Sequence, residues 1–287
     1  GKTNEAIEIF NDVISNTKNR NEISQIYSMI GNAYSKHGDN ENCQKYFEKS
    51  LEYYGYNIKN KRIPLFIDIF KEFLVHMFHK FYKKIRINDF EDNETLLQVC
   101  FSMHAVTWSY AITDIYKMIY VTLKTINLTE NNNCKSNYLP ISEMKYACMC
   151  MAIARFNWSK EYFKRALEHA AEIDDQWSIA EINQFMGHYY NWMGNFTEGI
   201  ACAEKSADLF YKIGDIKEFN MSLNALLQGY YYQGDFDNMF VVNSQFSEIA
   251  IKIKDNYTLC ASMIFFLQYY REKGDFKESE RYGLECS

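Results

Sequence analysis

Breakers are scarce in this chain. Its 287 residues hold 2 prolines and 12 glycines, which leaves room for long helices and argues against a loop-rich fold. A basic excess is missing as well. The net charge of −6 and pI near 5.6 argue against nucleic acid as the main partner. No apolar run reaches membrane-spanning length, and a membrane is not expected as a partner. Catalytic signatures are absent too: there is no P-loop, GxGxxG, GxSxG or HExxH. Neither an enzyme nor a cofactor or metal is therefore expected in this segment.

The residues that could suggest chemistry have simpler readings. The 8 cysteines are scattered, and only Cys148 and Cys150 are close. C-x-C without a second pair is not a zinc pattern, so the thiols read as small reduced hydrophobes of a cytoplasmic protein. His76 and His79 have helical spacing for two ligands but lack a third, with Lys80 beside them; they read as structural. Asp174/Asp175 fits a helix cap. The opening "GKTNEAIEIF" reads as the middle of a repeat and carries no signal-peptide pattern, as expected of a piece of a longer protein.

Aromatics are plentiful, with 23 tyrosines and 21 phenylalanines, and they recur in phase. "YYNWMGNFTE", "YYYQGDFDN" and "YYREKGDFKE" place Gly194, Gly234 and Gly274 at a fixed step (234 − 194 = 40, 274 − 234 = 40). Tyr190, Tyr230 and Tyr270 keep that step, as do Phe196, Phe236 and Phe276, and the Ile-x-Asp pairs at 173/175, 213/215 and 253/255. Repetition at this length means stacked supersecondary units. Apolar positions three and four apart flank each glycine, as at Ile182, Phe185, Met186 and Tyr189, then Ile200, Ala203, Ala207 and Phe210. Each unit is therefore a helical hairpin. Gly supplies the left-handed turn, Asp or Asn caps the next helix, and the aromatic packs back on the pair.

"GNAYSKHGDNENCQKYFEKSLE", residues 31–52, resembles a tetratricopeptide repeat through Gly31, Tyr34, Gly38, Asp39 and Ser50, with Cys43 where that family usually has alanine. The later copies keep the tyrosine and the turn, replace the first glycine by Leu227 and Leu267, and run 40 residues rather than 34. The resemblance implies an all-α, right-handed α-solenoid of helix pairs with some fourteen helices and no sheet. Repeats fill 1–56 and 139–287, and an irregular helical segment, 57–138, continues them as one array. Within that segment "RIPLFIDIFKEFLVHMFHKFYKKI" places Phe66, Phe70, Phe73, Met77 and Phe81 on one stripe of a 63–86 helix. The stripe is expected to be buried, with Lys71, Lys80, Lys83 and Lys84 on the other face; the alternative for such a basic amphipathic helix is to lie on a membrane surface or dock a partner. "EKSLEYYGYNIKNKRIPLFIDIFKEFLVHMFH" is also similar to the C-terminal repeat region of large signal-transduction ATPases, some fused to cyclase or kinase domains.

That resemblance implies a non-catalytic scaffold or sensor that binds a protein or peptide in a concave groove, or restrains catalytic modules. The alternative is a free-standing peptide sensor of the pheromone-receptor type. The family's groove positions fall on Ser28, Asn32 and Lys36, then on Gln184, His188 and Trp192, Asn224, Gln228 and Tyr232, and Ile264, Gln268 and Glu272. The expected contacts centre on His188, Asn191, Trp192, Asn224, Gln228, Tyr231, Tyr232, Gln268 and Arg271. Their amides and imidazole could satisfy an extended backbone while the aromatics supply apolar area.

Overall fold

The computed structural model describes residues 2–17, 19–36, 39–81, 93–131 and 137–286, and all regular structure among them is helical. The helices are α1 (Lys2–Asn16), α2 (Arg20–Lys36), α3 (Asn40–Tyr53), α4 (Arg62–Phe81), α5 (Asn93–Thr113), α6 (Ile115–Asn131) and α7 (Tyr138–Ala152). They continue with α8 (Phe156–Glu172), α9 (Gln176–Trp192), α10 (Phe196–Ile213), α11 (Ile216–Gln233), α12 (Phe236–Ile253), α13 (Asn256–Glu272) and α14 (Phe276–Cys286). This is the all-α solenoid expected from the repeats. Two compact units divide the chain, Gly1–Met149 and Cys150–Ser287. Gly38, Lys83, Lys84 and Cys134 lie outside the described residues.

In the second unit every element keeps time. Helix starts recur at one step (196 − 156 = 40, 216 − 176 = 40). The turns are more regular still. Positive φ occurs at Ala154, Asp174, Gly194, Gly214, Gly234, Lys254 and Gly274, one residue in twenty (174 − 154 = 20), with values from +52° to +82°. Each helix and its turn thus occupy twenty residues, and the left-handed residue ends each helix. Asp175, Asp215, Asp235 and Asp255 follow it and accept N–H bonds from the next helix's first turn. Asn195 occupies the same place without a side-chain cap bond.

Small residues let these helices approach. A Cβ on Gly199 of α10 would lie 3.1 Å from the Gly187 carbonyl of α9, and Ala180, Ala203 and Ala225 are wholly buried. Phe210 and Phe246 fill the space between hairpins, fully enclosed. Buried polar groups stitch the layers. Ser206 donates to the Ala180 carbonyl at 2.8 Å and meets Ser222 at 2.8 Å; Asn243 donates to the Ser262 carbonyl at 2.9 Å.

The first unit contains the matching hairpin, α2–α3. Gly31 sits against Phe47, where a Cβ would come within 2.9 Å of the ring, and Asp39 caps α3 by accepting from the Asn42 N–H at 3.0 Å. Its core joins Phe47 and Leu51 of α3 to Val99, Met103 and Tyr110 of α5 and Val121 of α6. A hydroxyl cluster sits inside it, with Ser28 at 2.7 Å from Ser50 and 2.8 Å from Ser102.

α4 departs from the sequence expectation. Its phenylalanine stripe is turned outward: Phe70 is 62% and Phe81 67% exposed, Phe66 and Phe73 are exposed as well, and Met77 is half-buried. The side facing α6 instead buries Leu65, Glu72, His76 and His79. The cause is a polar match. Glu72 accepts from Lys124 Nζ at 3.0 Å and from Asn127 Nδ2 at 2.8 Å, while His76 and His79 approach Glu130 at 3.6 and 3.9 Å. α6 offers Lys124, Asn127 and Glu130 along one face, and the 72/76/79 stripe of α4 is its complement. Cysteine burial also needs one correction. Cys43, Cys100 and Cys150 are buried, but Cys260 is exposed because it lies between the inward-facing Thr258 and Ser262 of α13.

Candidate ligand-binding wall

The first helices of the three later hairpins, α9, α11 and α13, are set side by side by the forty-residue step. Their polar side chains form a ladder. Gln228 Nε2 donates to Asn224 Oδ1 at 3.2 Å within α11, and Gln228 Oε1 lies 2.9 Å from His188 Nδ1 on α9. With the Gln228 amide so oriented, Nδ1 carries the His188 proton and Nε2 is the ring's acceptor. Burial holds the His188 pKa below its ordinary 6.5, partly offset by the Gln228 bond, so the imidazole is neutral at pH 7. On α13, Gln268 keeps its Oε1 enclosed with no hydrogen-bond partner, an acceptor with nothing to accept.

Aromatic area flanks the ladder. Trp192 is 57% exposed at the end of α9, and Tyr232 is 51% exposed, stacked on Phe196 with centroids 6.0 Å apart. Tyr231 is half-buried against Tyr232 and Phe236, and its hydroxyl accepts from Arg271 at 3.3 Å. Arg271 is also bonded to Glu272 at 3.0 Å, which leaves little unbalanced charge on this wall.

Several expected wall residues face elsewhere. Asn191 is 3% exposed and donates Nδ2 to the Ala225 carbonyl at 2.9 Å, so it binds α9 to α11 and does not present itself to a ligand. Gln184 is buried and accepts from Ser222 at 3.3 Å; Ser28 belongs to the hydroxyl cluster of the first unit. Asn32 is half-buried, Ile264 and Glu272 are exposed, and the Lys36 side chain lies outside the described residues. Sequence reasoning named Ser28 and Ser50 for other reasons and missed the hydrogen bonds among the buried serines. Their signal was a common offset, Ser50 and Ser206 each nineteen residues past a helix-packing glycine (50 − 31 = 19, 206 − 187 = 19). Among the described residues no group of three or more His, Cys, Asp or Glu is arranged to hold a metal ion.

The family model described as Tetratricopeptide repeat matches residues 24–57, the α2–α3 hairpin and the turn after it. This chain is a tetratricopeptide-like helical array. No curated protein sequence matches it. Solved structures do. BtubC from P. vanneervenii aligns over 77% of this array and 89% of its own chain, at 15% identity and a TM-score of 0.57. A Rap protein complexed with Competence and Sporulation Factor aligns over 97% and 78%, at 11% identity and 0.67. A signal transduction ATPase with numerous domains, carrying a tetratricopeptide repeat sensor, from Pyrococcus horikoshii aligns over 92% of this array but 39% of its own chain, at 14% identity and 0.55. At these identities the likeness is one of fold.

Proposed function

We propose that this array is a non-catalytic binding module, with α9, α11 and α13 receiving an extended peptide or protein segment. The observation that carries the reading is the neutral His188–Gln228–Asn224 ladder bordered by the exposed rings of Trp192 and Tyr232. Amide and imidazole groups suit backbone N–H and C=O groups. The near-balanced charge around Arg271 suits neither phosphate nor a polyanion. On this reading the module is the sensor or scaffold arm of a larger cytoplasmic signal-transducing ATPase, where it reads a ligand or restrains catalytic domains. The Pyrococcus structure, which carries such a repeat sensor, supports that use. A free-standing peptide sensor is the second reading, favoured by likeness over nearly the whole chain to a Rap protein solved with a bound factor.

Selection of displayed random peptides on the immobilised chain tests the module. Enriched peptides should lose about 2 kcal/mol or more of affinity for Trp192→Ala, while unfolding stays within about 1 kcal/mol of wild type. Peptides that bind Trp192→Ala and Tyr232→Ala as well as wild type would remove the wall from the reading. The coding sequence upstream of Gly1 separates the two settings: a nucleotide-binding domain supports the ATPase arm, and a helix-turn-helix supports the free-standing sensor.

A further inference from the structure

α4 is inside out. Its polar stripe is buried against α6, and its outer arc runs through Phe66, Phe70, Ile63, Phe81, Leu74 and Ile67 at about 100° per residue. These six side chains are from 47% exposed, at Phe66, to 76% exposed, at Ile63. At roughly 200 Å² for each complete side chain they present on the order of 700 Å² of apolar surface. That exceeds the roughly 300–600 Å² of the largest patch on an ordinary monomer. Tyr116 extends the arc at one end, its ring 4.9 Å from that of Phe66.

The rim of this arc is mainly basic. Between Lys59 and Phe81 lie Lys59, Lys61, Arg62, Lys71 and Lys80 against Asp68 and Glu72, a local +3 (5 − 2 = 3) in a chain of net −6. Glu72 is already bonded to Lys124 and Asn127 beneath the helix, and Arg62 is paired with Asp114 at 2.7 Å, so Lys59, Lys61 and Lys71 carry the basic charge beside Asp68. Beside the arc, Lys59, Lys71 and Lys124 wall an open hollow of about 250 Å³ that Asp68 and Glu72 also line.

We propose that α4 lies flat on an anionic bilayer surface. Its apolar arc enters the boundary between headgroups and acyl chains, and Lys59, Lys61 and Lys71 sit among the lipid phosphates. The helix lies on the bilayer and does not cross it, since no described helix is long and apolar enough to span. A second copy is the poorer occupant. A two-fold contact that sets the Lys71 edge against itself meets like charge, no exposed carboxylate lies on the arc to answer it, and Arg62 on the other edge is already held by Asp114. The expectation that a membrane is no partner rested on the lack of a spanning run and on a stripe expected to be buried; a helix lying on the surface needs no spanning run, and the stripe is exposed.

Flotation of the full chain with vesicles decides the matter. Vesicles of phosphatidylcholine containing about 30% phosphatidylserine should carry the chain upward, pure phosphatidylcholine should not, and about 0.5 M salt should release it. Lys59→Glu/Lys71→Glu should weaken partition about tenfold or more. Ile67→Glu/Phe70→Glu should abolish it with the far-UV spectrum and melting unchanged, because both positions are exposed. Should that apolar variant fail to fold, the lysine variant and the salt release carry the test. No flotation, or equal flotation with neutral vesicles, overturns the proposal. So does a dimer in light scattering that Phe70→Glu converts to monomer, which would assign the arc to a second copy.

Discussion

Gly199 tests directly how α9, α10 and α11 pack. A methyl group there would lie 2.8 Å from Asn191 Cγ, closer still to its Oδ1, and 3.1 Å from the Gly187 carbonyl. Relaxed heavy-atom contacts sit near 3.5–4.0 Å. Asn191 cannot swing away, because it is buried, bonded to the Ala225 carbonyl at 2.9 Å and backed by Gly229. Gly199→Ala should therefore cost about 2–3 kcal/mol, at the upper end for overpacking. Asn191→Ala alone loses one hydrogen bond, about 1 kcal/mol, but also removes an enclosed Oδ1 that has no partner. Its net cost should be about 1 kcal/mol. Combined, the new methyl occupies the space the amide leaves, and the double variant should sit only about 1–1.5 kcal/mol below wild type. The coupling is then about 1.5 kcal/mol or more in favour of the pair. Urea unfolding of the four full-length chains, compared at unchanged slope, measures it. Costs that add within about 0.5 kcal/mol, or a neutral Gly199→Ala, would refute this account of how α9, α10 and α11 meet.

The remaining expectations probe turns, titration and the buried hydroxyls. Lys254 is a non-glycine in the left-handed region at φ +57°, so Lys254→Gly should stabilise by about 0.5–1 kcal/mol and raise Tm by about 2 °C, while Gly234→Ala at φ +79° should do the reverse. His104 has its pKa pushed well below 6.5 by burial, and further by the Lys145 cation. Because its folded pKa is depressed, the unfolded chain takes up the proton first. Stability should therefore fall as pH drops through about 6.5, and level off only below the folded pKa. Urea midpoints at several pH values check the slope, which His104→Gln should flatten. His188 shifts in the same direction, and its ring resonances should titrate below pH 6.5. Ser206→Ala removes bonds to the Ala180 carbonyl and to Ser222, and should cost about 1–2 kcal/mol, read as faster amide exchange in α9 and α11.

The repeat was legible because the left-handed turn and its cap have few chemical solutions. Glycine marks four of the seven turns of the second unit, at 194, 214, 234 and 274, and Asp or Asn follows each. The other three turns place Ala154, Asp174 and Lys254 in the same conformation, so the twenty-residue step appears only in the backbone. α4 was misread for a different reason. Its sequence carries two stripes at helical spacing, one apolar through 66, 70, 73 and 77 and one polar through 72, 76 and 79. Periodicity finds both, and the general preference for apolar interiors selects the first. What decides the orientation is α6, some fifty residues on, where Lys124, Asn127 and Glu130 supply the matching groups.

Neighbours in sequence diverge in the same way at the wall. Asn191 and Trp192 stand about 100° apart on one helix, and the sequence reading places both among the expected contacts although only Trp192 is a family groove position. The structure separates them, because Gly199 on α10 and Gly229 on α11 leave a space that an amide fills and closes. Trp192, one residue on, meets no such recess and is left facing out. The signal for Asn191 was therefore in the sequence as a missing side chain on each of two neighbouring helices. Only knowledge of which helices touch turns that absence into a contact. On the proposed function, binding and stability should accordingly part between these adjacent positions: Asn191→Ala should lower the unfolding midpoint, and Trp192→Ala should lower affinity for selected peptides alone.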